Sequence, residues 1–310
     1  MKTVVGRLFV ALCVLVPVSP AARVAQVQVD QLQQTFRSAM DLVTIQASVR
    51  DNRGRLMKGL TTSDFEVRDN GQLRPILSLR ADLRSPVSLA ILVDMSGSMR
   101  IGSKIAMARQ AFDSVVSQLR VGEDEVAVFT FDSALHERQD FTRDLATLRG
   151  ALADFEPFGT TSLFDATAET ARRLAARSGT HKAIIVLTDG IDTSSTLSAP
   201  EVSGLASSID VPVYVVATVP SIDQRTMMEA ADRRSESVDL RDLAEWTGGQ
   251  LVFASTFTET ALAASSLVNG LRQQYVLAIE AAGAHGWRRL NITVKHPAAI
   301  VKARSGYFGG

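Results

Sequence analysis

The chain has 310 residues, and its 33 lysines and arginines balance 33 aspartates and glutamates. That balance excludes a chain drawn by its overall field to nucleic acid or anionic lipid. With 46% hydrophobic and 21% charged residues it is a globular chain, long enough to bury a substantial core.

In chain order, Lys2 and Arg7 precede the apolar run Leu8–Val18, and Ser19-Pro20-Ala21-Ala22 follows. This order of charge, apolar core and small residues predicts a secretory signal peptide over residues 1–25. The single cysteine, Cys13, lies inside it. A cleaved chain then has no thiolate, disulfide or cysteine metal site. No later segment is apolar for long enough to span a bilayer. The expectation is an exported protein, periplasmic or extracellular, with no membrane span in the mature chain.

Residues 40–82 predict a small antiparallel β segment. "LVTIQASVR" alternates apolar and polar positions. "DFEVRDNGQLRPILSLR" reads as two short strands about Asp69-Asn70-Gly71, a tight-hairpin signal. From Pro86 strands alternate with helices. "VSLAILVD", "DEVAVFTF", "HKAIIVLTD", "VPVYVVATV" and "QLVFAS" are strands of a sheet covered on both faces. "KIAMARQAFDSVVSQL" and "SLFDATAETARRLAARS" carry apolar residues at helical spacing, with further helices near residues 201–208, 239–246 and 258–271. The alternation predicts a doubly wound, mainly parallel α/β domain over 86–272. Residues 273–310 return to alternating strands, with "AIVKARSGYF" read as one of them. They are expected to rejoin the N-terminal strands in a smaller β-sandwich-like module.

The stretch "ILVDMSGSMR" ends a buried strand in Asp94, Ser96 and Ser98. Ligands collect at the carboxyl ends of strands in such sheets, so this turn projects into the binding crevice. A carboxylate and two hydroxyls are hard oxygen donors suited to Mg²⁺, Mn²⁺ or Ca²⁺. "VLTDG" places Asp189 at another strand end, and "FGTTSLFDA" supplies Thr160, Thr161 and Ser162. Asp94, Ser96, Ser98, one threonine and Asp189 then form an oxygen cage with few anions. An ion so held is under-neutralised and keeps a position open for an outside carboxylate.

"DMSGSM", "GTTSLFDA" and "VLTDGIDTSS" resemble the metal-ion-dependent adhesion site (MIDAS) of von Willebrand factor type A domains, over about Pro86–Thr258. The resemblance implies a Rossmann-like fold and a protein partner donating an acidic side chain to the ion. By it, Ser96 and Ser98 bind the ion directly, and Asp94 and Asp189 directly or through water. It aligns Thr161 with the site threonine, although Thr160 stands where the family commonly has a second glycine. The flanks "GLTTSDFEVRDNGQ" and "VKARSGYF" are similar to a bacterial exported group first noted in acidobacteria.

Rival readings are weaker. Gly97 and Gly102 imitate a phosphate-binding loop, but Ser103 precedes Lys104, out of register. A Mg²⁺-dependent phosphoryl-transfer hydrolase using Asp94 needs a second carboxylate at position 96, which is serine. No acid–base pair points to an enzyme. The other rival is a structural envelope scaffold. His136, His181, His285 and His296 are read as surface or strand-edge residues, and Phe158, Phe164, Trp246 and Trp287 as packing residues, with lining of the ion's mouth the alternative for Phe158. Asp132 and Asp192 are read as turn residues, and Asp165 as orienting the start of its helix.

Overall fold

The computed structural model describes residues 42–148, 150–152, 156–179, 181–219, 236–283 and 285–309. The expected signal peptide lies outside them. No helix among the described residues is long and apolar enough to cross a membrane.

The centre is a six-stranded sheet in the order β10-β9-β8-β5-β6-β7. Its strands are β5 (Val87–Asp94), β6 (Glu125–Phe131), β7 (Leu135–Thr142), β8 (His181–Thr188), β9 (Val213–Thr218) and β10 (Gln250–Ala254). All pairings are parallel except β6 with β7. Every residue of β5 is buried, and its side chains alternate between two cores. Leu89, Ile91 and Val93 face α1 (Lys104–Ser117) and α5 (Phe257–Leu271). Ala90 and Leu92 face α2 (Leu163–Ala175), α3 (Ala199–Ser208) and α4 (Glu236–Trp246). This double burial explains why the strand reads as an unbroken apolar run. The chain leaves β5 for β6 on one side and later returns to β8 on the other, so strand order reverses at β5. The crevice of a doubly wound sheet opens at such a point, here beyond Asp94.

Two further four-stranded sheets mix the chain ends, in the orders β13-β1-β11-β4 and β14-β12-β2-β3. Their strands are β1 (Leu42–Arg50), β2 (Phe65–Asp69), β3 (Gln72–Arg74), β4 (Ile76–Asp82), β11 (Gln274–Glu280), β12 (Gly286–Val294), β13 (Ile300–Ala303) and β14 (Gly306–Gly309). Ile45, Val67, Leu277, Leu290 and Tyr307, drawn from both sheets, share one core. Within it Arg288 donates to both carboxylate oxygens of Asp69, at 2.8 and 3.0 Å, and the Tyr307 hydroxyl donates to the same group. The hairpin turns at Asn70 and Gly71, both at positive φ, as a tight hairpin turn requires.

Three local expectations need correction. "DFEVRDNGQLRPILSLR" forms three strands, because Pro75, which has no N–H to donate, ends β3, and β4 joins the other sheet. "AIVKARSGYF" is two strands in different sheets. Between them Arg304 turns inward and donates to the carbonyls of Ser207 and Thr44, while the Ser305 N–H donates to the Trp246 carbonyl. His181 is not a surface residue: it is 2% exposed, with Nε2 3.5 Å from the Asp82 carboxylate.

At the amino-terminal end of the parallel strands, Asp124 is fully buried and accepts the N–H groups of Val87 and Arg120. It is also bonded twice by Arg272, once at 2.9 Å. One carboxylate thus ties the start of β5 to the residue that follows α5.

Candidate functional site

Three loops converge beyond the carboxyl end of β5, held by main-chain hydrogen bonds. Gly97 donates to the Gly159 carbonyl at 3.0 Å, and Phe158 donates to the Met95 carbonyl at 2.7 Å. Thr193 and Ser194 both donate to the Thr161 carbonyl. A Cβ at position 97 would stand 3.3 Å from the Gly159 carbonyl oxygen, so the close approach favours glycine there. Sequence segments near 94–98, 158–162 and 188–194 are therefore one continuous surface of the fold.

Within it Asp94 is completely buried. Its Oδ1 accepts the Ser96 N–H at 2.8 Å and its Oδ2 accepts the Thr188 hydroxyl at 2.6 Å. Burial pushes its carboxyl up to about 6, against the hydrogen bonds from Thr188 and Ser96; the nearby Asp189 charge adds to the rise. A cation held here would relieve that strain on the anion. The Ser96 and Ser98 hydroxyls lie 3.1 Å apart. Asp189 is buried, and its Oδ2 accepts Lys104 Nζ at 2.9 Å. Its Oδ1 is buried with no hydrogen-bond partner, an uncommon state for a carboxylate oxygen.

The two threonines differ. Thr161 is buried, with its N–H on the Thr193 hydroxyl, whereas Thr160 is exposed and accepts the Ser194 hydroxyl at 3.0 Å. Among the described residues no three His, Cys, Asp or Glu side chains cluster as a metal group. An ion at this place would rely on serine and threonine hydroxyls beside two carboxylates, a hard donor set that fits Mg²⁺ or Mn²⁺ and leaves positions for water.

Residues 89–191 match the family model of the von Willebrand factor type A domain. The chain contains a von Willebrand factor type A domain. No curated protein matches it in sequence. Among solved structures, a von Willebrand factor type A protein from Catenulispora acidiphila superposes with a TM-score of 0.51 at 14% identity, over 86% of this chain and 72% of that one. Proximal thread matrix protein 1 of the mussel byssus, solved with a zinc-occupied MIDAS motif, gives 0.50 at 18% identity. That match covers 64% of this chain and 48% of the mussel protein. BatB of Bacteroides thetaiotaomicron gives 0.46 at 19% identity, over 59% of this chain and 98% of that one. At these identities the likeness to the first two is one of fold.

Around the A-domain site the neighbouring acids do other work. Asp192 accepts the N–H groups of Ser195 and Phe164, a turn-stabilising role. Asp132 bonds within its own turn, to Ala134 and Ser133. Asp165 lies in the first turn of its helix and also accepts the N–H groups of Thr196 and Leu197, anchoring the loop beyond β8. Phe158, expected to be a packing residue, is 77% exposed on the loop bordering the site. Trp246 and Trp287 are 38% and 41% exposed, with the Trp287 ring packed edge-on against Phe308, and Phe164 is buried as expected.

Thr188 and Lys104 escaped the sequence reading. The signal for Thr188 was its place just before Asp189 at a strand end, and for Lys104 its place as the first helical residue after the serine turn. A cleft of about 1290 Å³ between α3, the end of α4 and β12–β14 shares no lining residue with this site.

Proposed function

We propose that the protein is exported and captures a protein partner through a divalent cation held by its A domain. Asp94, Ser96, Ser98, Thr161 and Asp189 hold the ion, directly or through water, and its remaining position takes a carboxylate from the partner. Mg²⁺ is the expected ion, with Mn²⁺ and Ca²⁺ as alternatives of the same hard class. Zinc belongs in the same titration, since the mussel byssus protein carries it in its MIDAS motif.

The observation that carries this reading is the meeting of the serine pair, Thr161 and the two buried aspartates at one sheet edge, with Asp189 Oδ1 unpartnered. Thr161 is favoured over Thr160 because the Thr160 hydroxyl is exposed and already bonded to Ser194. A binding role is favoured over phosphoryl transfer because position 96, where a second acid would stand, is a serine. A nucleophilic carboxylate needs an acid beside it.

The test is calorimetric titration of Mg²⁺, Mn²⁺ and Zn²⁺ into the wild type, Asp94→Ala and Ser96→Ala. The variants should lose most of the ion affinity; unchanged affinity would refute the site. Affinity capture from an envelope fraction of the native host, with and without chelator, tests the partner. Retention that ignores chelator would count against ion-mediated capture.

A further inference from the structure

The proposed cage contains a cation of its own. Lys104 begins α1, six residues beyond Ser98, and its side chain is only 12% exposed. Its ammonium lies 2.9 Å from Asp189 Oδ2, while Asp189 Oδ1 is buried and unpartnered. One oxygen of this carboxylate is thus committed to the lysine, and the other is left for a second positive group. The lysine stem is flexible, so it is the burial of the side chain and its pairing with Asp189 that hold the ammonium here.

We infer that Lys104 sets the charge of the ion site: by neutralising Asp189 it weakens the hold on the divalent cation and keeps that cation electrophilic toward an acidic partner. This rests on the ion-capture reading above. Asp94, Asp189 and Lys104 together carry one net negative charge, so a bound divalent ion retains one positive charge. Without the lysine the same ion would be neutralised by its two carboxylates. It would sit more tightly and attract a third carboxylate less. Charges a few ångströms apart at a partly buried site interact strongly enough for the effect to be measured.

The lysine also explains how a metal-free chain tolerates two buried carboxylates at one edge. With no ion, the ammonium is the counter-charge that Asp189 has.

Calorimetric titration of Mn²⁺ into the full chain tests the inference, comparing the wild type with Lys104→Met, Lys104→Gln and Lys104→Arg. Water-proton relaxation of the Mn²⁺-loaded proteins then reads displacement of bound water by acetate, the acidic probe. The two neutral variants should bind Mn²⁺ about tenfold more tightly and acetate about tenfold more weakly. Lys104→Arg should stay near the wild type. The rise in melting temperature on adding Mn²⁺ should be larger in the neutral variants, because their metal-free form leaves Asp189 unpaired. If the wild type binds Mn²⁺ and both neutral variants bind it equally or less tightly, the role of Lys104 is refuted while the ion site stands. If no form binds Mn²⁺, the ion site falls and this role with it. Should Lys104→Met not fold, Lys104→Gln carries the same comparison.

Discussion

The Thr188 hydroxyl donates to Asp94 Oδ2 at 2.6 Å and accepts the Gly190 N–H at 3.0 Å, joining two strand ends 94 residues apart in sequence. This single hydroxyl fixes the carboxylate on the side opposite the Ser96 N–H. Thr188→Val keeps the volume and removes the bond. It should cost about 1–2 kcal/mol in urea unfolding, since a buried acceptor loses its donor. It should also weaken Mn²⁺ binding several-fold by freeing Asp94 to rotate, whereas Thr188→Ser should restore both. Wild-type ion affinity in Thr188→Val would show that Asp94 needs no such support.

Phe158 stands exposed on a loop whose main chain is bonded to Met95 and Gly97. An exposed aromatic ring beside a binding centre is the kind of side chain that carries interface energy. Phe158→Ala should leave the melting temperature within experimental error, because truncating a solvated ring costs under about 0.5 kcal/mol. Ion affinity should also hold. Capture of the envelope partner should fall more than tenfold, equivalent to a loss of about 2 kcal/mol. A drop in stability instead would mean that the ring is part of the core.

His181 sits inside the start of β8, facing Asp82, with Arg80 and Arg272 as the other charges around it. Burial lowers its pKa below 6.5, and the Asp82 carboxylate only partly offsets this. The imidazole is therefore neutral when folded but takes up a proton more readily when unfolded. Its contribution to stability is full above the unfolded value, near 6.5, and declines as pH falls through it toward the lower folded value. Asp82, itself lowered by its hydrogen bonds from Ser85, titrates below 3.8 and outside this window. Asp94, pushed up to about 6, takes up its proton in the folded state over the same range and opposes this trend, so the measure is the difference: between pH 7.5 and 5.5 the wild-type urea midpoint should fall relative to that of His181→Gln. Equal slopes in the two proteins would rule His181 out.

Arg272 follows α5 and closes on the buried Asp124, whose pKa is held down by it despite burial. Arg272→Met leaves that buried carboxylate with its two N–H partners and the Arg120 guanidinium, 3.7 Å away. Breaking a buried pair from one side costs about 3–5 kcal/mol. Arg272→Lys, a point charge in place of a fork, should recover only part. Denaturant unfolding of the three proteins measures this, and a loss below about 1 kcal/mol would mean that water reaches Asp124.

How much was legible in the sequence varies from one element to the next. The all-apolar β5, the helical spacing of Ala108, Phe112 and Val115, and the Asp69-Asn70-Gly71 turn each carry their periodicity within a few residues. Such patterns report on local conformation directly. The break between β13 and β14 did not, because alternation continues across Arg304 while the chain changes sheets there. The burial of His181 and the exposure of Phe158 were likewise invisible, since both depend on what other parts of the chain cover.

From sequence alone came the α/β alternation, the strand that ends at Asp94, and the oxygen-rich residues at 96, 98, 161 and 189. These are properties of short stretches, set by side-chain chemistry and by the two- and 3.6-residue repeats of strand and helix. Tertiary structure alone decided that Thr188 grips Asp94, that Lys104 holds Asp189, and which main-chain hydrogen bonds lock the three loops together. Those contacts arise because parallel strands must be joined by long crossovers, which bring residues close in space without leaving any regular spacing between them in the chain.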